Sequence, residues 1–192
     1  MRLPRSPTRV FPQALTTVLA RLETDRLQGL VEAFTLIGGF AVSAWGVPRA
    51  TQDIDFAIAI GSANPHALAA FLEGRFEPGE PDDPLNGVLH ASIQVGSASV
   101  SLQAILFPSF LTEITFRHVD TLSIMDQLVP VVTWQMLILL KLYVGGPQDR
   151  LDAQQILQVR NPKPDDLQEI GSMAKSLGVL EDWTALLDLP QK

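Results

Sequence analysis

Leu36-Ile37-Gly38-Gly39, thirteen further residues, then Asp53-Ile54-Asp55: these two runs decide how the chain is read. Ala33 to Ile37 is a short apolar run that ends on two glycines, which predicts a buried strand entering a tight turn. Phe40 to Trp45 reads as a short helix. Gly46-Val47-Pro48 stops it, because proline disfavours helix at the residue before it. Asp53 to Ile60 is the next strand, closed by Gly61. Side chains alternate along a strand, so Asp53 and Asp55 project from one face and Ile54 from the other. Two carboxylates ~6–7 Å apart along a strand can converge on Mg²⁺, a hard cation that prefers oxygen ligands. Without a cation they repel each other, and burying either is costly. Glycines at a strand-to-helix turn let backbone N–H groups approach a phosphate, and the helix N-terminus favours its charge. The order is therefore a phosphate cradle facing a metal-binding pair, the minimum for metal-assisted phosphoryl or nucleotidyl transfer. Taken singly, each half has a plainer reading. Gly38-Gly39 is then only a turn, Asp53 ends a strand, and Asp55 is a solvated carboxylate.

Outward from this stretch the pattern is mixed α/β, then helical. Residues 1–11, with Pro4, Pro7 and three arginines, read as a loose N-terminal arm. Pro12 to Leu30 has apolar residues near helical spacing and predicts one or two helices, with a break around Thr24. Asn64-Pro65 opens a helix to about Glu73. Glu77 to Gly87, rich in proline and glycine, predicts a long loop. Val88 to Val95 and Ala98 to Phe107 both alternate and form a hairpin across Gly96-Ser97. Ser109 to His118 predicts a helix. Thr121 to Met125 and Leu128 to Val132 predict a hairpin turning at Asp126-Gln127. Thr133 caps a strongly apolar helix to Val144, and Gly145-Gly146-Pro147 ends it. Three more helices follow: Asp149 to Arg160, Asp165 (as cap) to Leu177, and Leu180 to Leu187. The expected fold is α/β, a small mixed sheet with helices on one side. Its core covers residues 12–132, with a C-terminal helical extension over 133–192 packed on it.

Composition limits the chemistry. The 192 residues carry 14 Lys+Arg against 21 Asp+Glu, a formal net charge of -7, so a broad basic nucleic-acid-binding face is not expected. Arg2, Arg5 and Arg9 form the one small basic cluster. There is no cysteine, which excludes disulfides, Cys-ligated metal and thiol catalysis and fits a reducing cytoplasm. No apolar run approaches the ~20 residues of a membrane span, and the first twenty residues make a poor signal peptide. The chain is expected to be soluble and cytoplasmic. His66, His90 and His118 are scattered, and no Walker A or G-x-S-x-G motif occurs.

Arg49-Ala50-Thr51-Gln52-Asp53-Ile54-Asp55-Phe56, after Gly38-Gly39 and a short helix, resembles the nucleotidyltransferase superfamily. The closer resemblance is to the AbiEii/AbiGii-type toxin group, whose pattern is Gly-Gly or Gly-Ser, a helix, then Arg-x-Thr-x-Asp-hydrophobic-Asp. Val131-Val132-Thr133, Leu140-Lys141-Leu142 and Gln148-Asp149-Arg150-Leu151-Asp152 resemble its second half, so the likeness spans about residues 30–160. The resemblance implies that Gly38 and Gly39 hold the nucleotide phosphates and that Asp53 and Asp55 bind Mg²⁺ or Mn²⁺. It implies that Arg49 or Thr51 sits beside the phosphates or braces the metal strand. Lys141 would reach the triphosphate, and Asp149 and Asp152 would line the cleft or anchor the helix pair. Plainer alternatives stand beside these: a snorkelling Lys141, Asp149 as an N-cap, and Asp152 paired with Arg150 or on a wet face.

One departure matters. The superfamily places a third carboxylate on a later strand. Ala98 to Phe107 should be that strand, and it has Gln103 or Ser101 where the acid is expected. A neutral amide or hydroxyl binds Mg²⁺ poorly and is a poor general base. Toxin-type relatives that lack it use a downstream Lys and Asp. The sequence thus leaves three readings. The first is a transferase moving NMP from an NTP to RNA, protein or a small molecule, as the toxin half of a pair with an antitoxin. The second is a nucleotide-binding or scaffold protein on a decayed domain. The third is a module that reuses only the fold.

Overall fold

The computed structural model describes residues 10–80 and 83–189. The elements run α1 (Val10–Leu27), β1 (Ala33–Leu36), α2 (Gly38–Ala44), β2 (Asp53–Ala59), α3 (Pro65–Phe71), β3 (Arg75–Pro78), β4 (Gly87–Val95) and β5 (Ala98–Leu106). Then come α4 (Ser109–Arg117), β6 (Val119–Ile124), β7 (Gln127–Val132), α5 (Trp134–Val144), α6 (Pro147–Arg160), α7 (Pro164–Leu177) and α8 (Leu180–Leu187). The strands form one seven-stranded sheet in the order β3-β4-β5-β2-β1-β7-β6. It is mixed: β2 runs antiparallel to β1 and parallel to β5, and β1 runs parallel to β7. The α/β class is as expected, but the sheet is larger than the small one anticipated.

Alternation gives the sheet its two faces. Leu36, Phe56 and Ile54 on the central strands share a face with Leu102 and Ala104 of β5 and with Leu89 and Ile93 of β4, and all are buried. Helix α1 lies against β4 and β5, and its Phe11 and Leu15 meet Leu36 and Ile54. The opposite face carries Asp53, Asp55, Ser101, Gln103 and His90. Burying a residue of the size of Leu or Phe contributes about 1.5–3 kcal/mol, so the first face holds the sheet together and the second is left for chemistry. Helix α5 is buried nearly all round, through Trp134, Met136 to Leu140 and Leu142, because α2, α6, α7 and α8 all pack on it. The Trp45 indole N–H donates to the Val132 carbonyl at 2.8 Å, which ties the end of α2 to the end of β7. The Arg160 guanidinium lies over the rings of Trp45 and Trp134.

Several expectations change. Residues 1–9 of the expected arm lie outside the described residues, and Val10 and Phe11 already belong to α1. That helix runs through Thr24 without a break, because the Thr24 hydroxyl is absorbed by the Ala20 carbonyl one turn back. The segment expected as a loop from Glu77 begins with the edge strand β3, paired along β4 with Arg75 opposite His90. Its proline, Pro78, stands at the strand's last residue, where the missing donor costs least. The β6–β7 hairpin turns at Met125-Asp126, both left-handed (φ 50 and 64), one residue earlier than the sequence suggested. The cap of α7 lies two residues earlier than expected, at Lys163 rather than Asp165, and Asp166 closes the turn by accepting from the Lys163 N–H at 2.9 Å. Asn64 caps α3 as expected, accepting from the His66 N–H at 2.8 Å.

Helix α1 buries one carboxylate with no compensation. Asp25 is 0% exposed, and neither oxygen has a hydrogen-bond partner among the described residues. Burial raises its pKa to about 6, and the Arg21 guanidinium offsets this only in part. The folded chain therefore binds this proton more tightly than the unfolded chain does. Its contribution favours folding below the unfolded value of 3.8 and is lost as pH rises through about 6. A shift of roughly two units corresponds to about 3 kcal/mol. Asp25→Asn should raise stability near neutral pH by about 1–3 kcal/mol, and the gain should shrink on acidification. Denaturant melts of both proteins at several pH values read this directly, and a loss of stability at neutral pH would contradict it.

Candidate active site

The diglycine bend and the acidic pair are in contact. Gly38 has φ +64, a left-handed conformation, and a Cβ there would fall on the Asp55 carboxylate. A Cβ at Gly39 would come within 2.8 Å of the Thr51 Cβ. Only hydrogen fits at either position, so the bend lies flat against β2. The Gly39 N–H lies close enough to the Asp55 carboxylate to favour its charge, and the Ile37 N–H donates to the Asp55 carbonyl at 2.9 Å. Thr51 braces the start of the strand: its hydroxyl donates to the Asp53 carbonyl at 3.2 Å.

Asp53 and Asp55 share a face, as alternation requires. Burial, and then the neighbouring Asp53 charge, raise the Asp55 pKa above 3.8. The Gly39 N–H, Lys141 and Arg49 act the other way. In the parallel ladder Asp53 stands opposite Ser101 and Asp55 opposite Gln103. Gln103 in turn stands opposite His90 of β4. The strand expected to bring a third acid is therefore in register with the pair and brings none. Among the described residues, no group of three His, Asp or Glu is placed to hold a metal ion.

The cations come from other elements. Lys141 of α5 donates to Asp149 at 2.7 Å and stands 3.1 Å from Asp152. Arg49, in the segment between α2 and β2, lies 3.2 Å from the other oxygen of Asp152, which also accepts from Gln148 at 2.8 Å. The Lys141 side chain is 13% exposed and Asp152 0%. Lys141 is thus enclosed and paired rather than snorkelling at an exposed helix end. Asp152 is neither on a wet face nor paired with Arg150, which binds Asp182 at 3.0 Å instead. Asp149 is not the N-cap of α6. Gly146 occupies that position, and Asp149 lies in the first turn, turned towards Lys141.

Two sequence signals were missed. Gln148 and Asp152 are four residues apart on one helix, a spacing that places them side by side. The Arg49–Asp152 pair spans about a hundred residues and leaves no local trace. Gly38, Asp55, Lys141 and Asp149 line one cavity of about 240 Å³, whose remaining walls are apolar. A larger hollow, about 440 Å³, lies at the other end of β2 around Glu32, Ile60 and Glu113. It contains none of these residues.

Removing a buried charge partner typically costs ~3–5 kcal/mol, because the group left behind is unpaired. Asp152→Ala strands Arg49, leaves Lys141 with Asp149 alone, and should destabilise the chain by about 3 kcal/mol. Asp149 is partly exposed and leaves Lys141 with Asp152, so Asp149→Ala should cost about 1 kcal/mol or less. Equal losses in denaturant melts would mean that Asp152 does not organise the cluster.

No protein-family model matches the chain, and no curated protein matches it. Solved structures do. A structure of an antigenic nucleotidyltransferase-like protein from Paracoccidioides brasiliensis matches at TM-score 0.52 and 17% identity, covering 93% of each chain. The solution structure of the antibiotic-resistance factor ANT(2'')-Ia matches at TM-score 0.51 and 15% identity, covering 89% of this chain and 97% of its own. At such identities the likeness speaks for the architecture: the mixed sheet and its helices form a nucleotidyltransferase-like fold.

Proposed function

We propose that the chain is an Mg²⁺-dependent nucleotidyltransferase, moving a nucleoside monophosphate from an NTP to an acceptor hydroxyl or phosphate. The observation that carries this is the seating of the Gly38 bend on Asp55, with Lys141 in the same cavity. The donor set suits Mg²⁺ or Mn²⁺. Asp53 and Asp55 offer carboxylate oxygens, Gln103 offers an amide oxygen from the paired strand, and such ions keep other positions for water and phosphate. Burial first and the Asp53 charge second raise the Asp55 pKa, against Gly39, Lys141 and Arg49, and a divalent cation held by the pair would offset both. When bound, the ion would supply Lewis-acid polarisation of the phosphoryl oxygens.

The chain's own residues supply the rest. The bend brings backbone close to the phosphates with no side chain in the way. Lys141 and Arg49 are the cations for the leaving pyrophosphate. Asp152, fixed by Gln148, holds both of them. Asp149 and Asp152 already pair with these two cations, and Asp55 lies within their field beside Asp53, so the acids outnumber the cations and repel a free triphosphate. Binding then depends on the metal.

The acceptor belongs to RNA, protein or a small molecule. The net charge of -7 disfavours long polyanions among these. A toxin role, with an antitoxin as partner, rests on the AbiEii/AbiGii-type pattern quoted above. A cytoplasmic location rests on the cysteine-free composition, and among the described residues no helix is long and apolar enough to cross a membrane. A second reading, nucleotide binding without turnover, is favoured by one observation: Gln103 stands opposite Asp55 where a third acid would complete the site.

Label transfer from radiolabelled NTP to a lysate acceptor pool should need Mg²⁺, and Asp53→Ala should reduce it by at least ~10³-fold, the scale of a lost electrostatic contribution to the transition state. NTP-dependent thermal stabilisation without transfer would favour the second reading, and no response to NTP with Mg²⁺ would sink both. Titration calorimetry also reads the pH dependence. Metal binding needs both carboxylates ionised, and the Asp55 pKa lies above 3.8. Mg²⁺-dependent NTP affinity should therefore fall on acidification before ordinary carboxylates titrate.

A further inference from the structure

The cavity that holds Asp55 and Lys141 extends away from them as an apolar slot. Its walls there are Leu85, Ile105, Phe107, Leu140, Tyr143 and Val144. Among the described residues its charged lining groups are Asp55, Lys141 and Asp149, and the last two already bind each other at 2.7 Å. The Tyr143 hydroxyl is turned to the Pro84 carbonyl. The backbone of Ile105 is committed to the sheet, where it stands between Ala57 and Val88, and Leu140 lies inside α5. The slot thus offers surface to a flat ring and, among the described residues, no side chain free to read its edge. Gly38 and Lys141 line the same cavity as this apolar wall.

Resting on the nucleotidyltransferase reading, we propose that this slot takes the nucleobase and holds it by shape and burial rather than by hydrogen bonds, so that purine and pyrimidine NTPs are all substrates. Sites that read a substrate by buried hydrogen bonds reject its analogue by ~10⁴–10⁵-fold, whereas apolar pockets discriminate by only ~10–200-fold, through size. ATP and GTP differ mainly at their edges, as do CTP and UTP. Each pair therefore meets the same walls. A purine buries more surface than a pyrimidine and binds somewhat more tightly.

Titration calorimetry with Mg²⁺ tests this on the full chain, using the four NTPs and ribose 5′-triphosphate, which has the phosphates but no base. All four NTPs should bind at least tenfold more tightly than the abasic compound. ATP should match GTP, and CTP should match UTP, within about tenfold. Leu85→Trp, in a loop at the mouth of the slot, should bring NTP affinity down to the abasic level while leaving ribose 5′-triphosphate binding and the melting temperature unchanged. Equal affinities for NTP and abasic compound would place the base elsewhere and overturn the inference. So would a preference above fiftyfold within either pair, since that needs a group reading the base edge. If ribose 5′-triphosphate and all NTPs fail to bind with Mg²⁺, the transferase reading itself falls, and this inference with it.

Discussion

The structure turns on the absence of side chains at Gly38 and Gly39. A β-carbon at the first would occupy the Asp55 carboxylate, and one at the second would press on Thr51. The bend can therefore rest on β2, and the Asp55 carboxylate finds a backbone N–H as its neighbour. Asp55 is the edge of the site that costs most to keep. Burial and Asp53 both work against its charge, and the Gly39 N–H, Lys141 and Arg49 offset only part of that. The same closeness that disfavours the charge of the carboxylate puts the bend and Asp55 on the wall of one cavity. Stability and function conflict here, and the glycine pair is where the conflict is set.

Asp152 is the second point on which the arrangement depends. It gathers Arg49 from the segment before β2, Lys141 from α5 and Gln148 from its own helix. Through it the helices after the sheet become part of the site. A fully buried carboxylate in contact with two cations is weak evidence of net stabilisation, since its desolvation consumes most of the attraction. It is better evidence of placement, because a cation held by a buried anion has few places to go. Lys141 is further held by Asp149, which is partly open to solvent. Of the two acids Asp149 is the more easily parted from the lysine.

The sequence showed the acidic pair, the glycine bend and their order because each rests on a local rule: period-two alternation, left-handed turn geometry, and proline as a helix stop. Lys141 and Asp149 were singled out through the family pattern, but not as partners, since the Gly145-Gly146 turn separates their helices. For Asp152 the sequence left an anchor of the helix pair and a local pair with Arg150 side by side. On a helical wheel it is an ordinary polar residue, and Lys141, Gln148 and the return of Arg49 from a distant segment together make its burial tolerable. The edge strand β3 was hidden by the prolines and glycines that follow it. Its four residues are mostly exposed, so no apolar alternation marks them. The apolar slot was not visible either, because its walls come from β5, α5 and an intervening loop.

Gln103 occupies the register position beside Asp55. A carboxylate there would add a third negative group to a face where two already repel, and Asp55 would be harder still to ionise. The amide avoids that cost. The face thus carries one acidic pair on β2 and no carboxylate on β5. Nucleotide binding needs only the former. Transfer needs the acceptor to lose its proton by another route, so the distinction between a transferase and a nucleotide sensor on this fold rests on one uncharged side chain and not on the architecture around it.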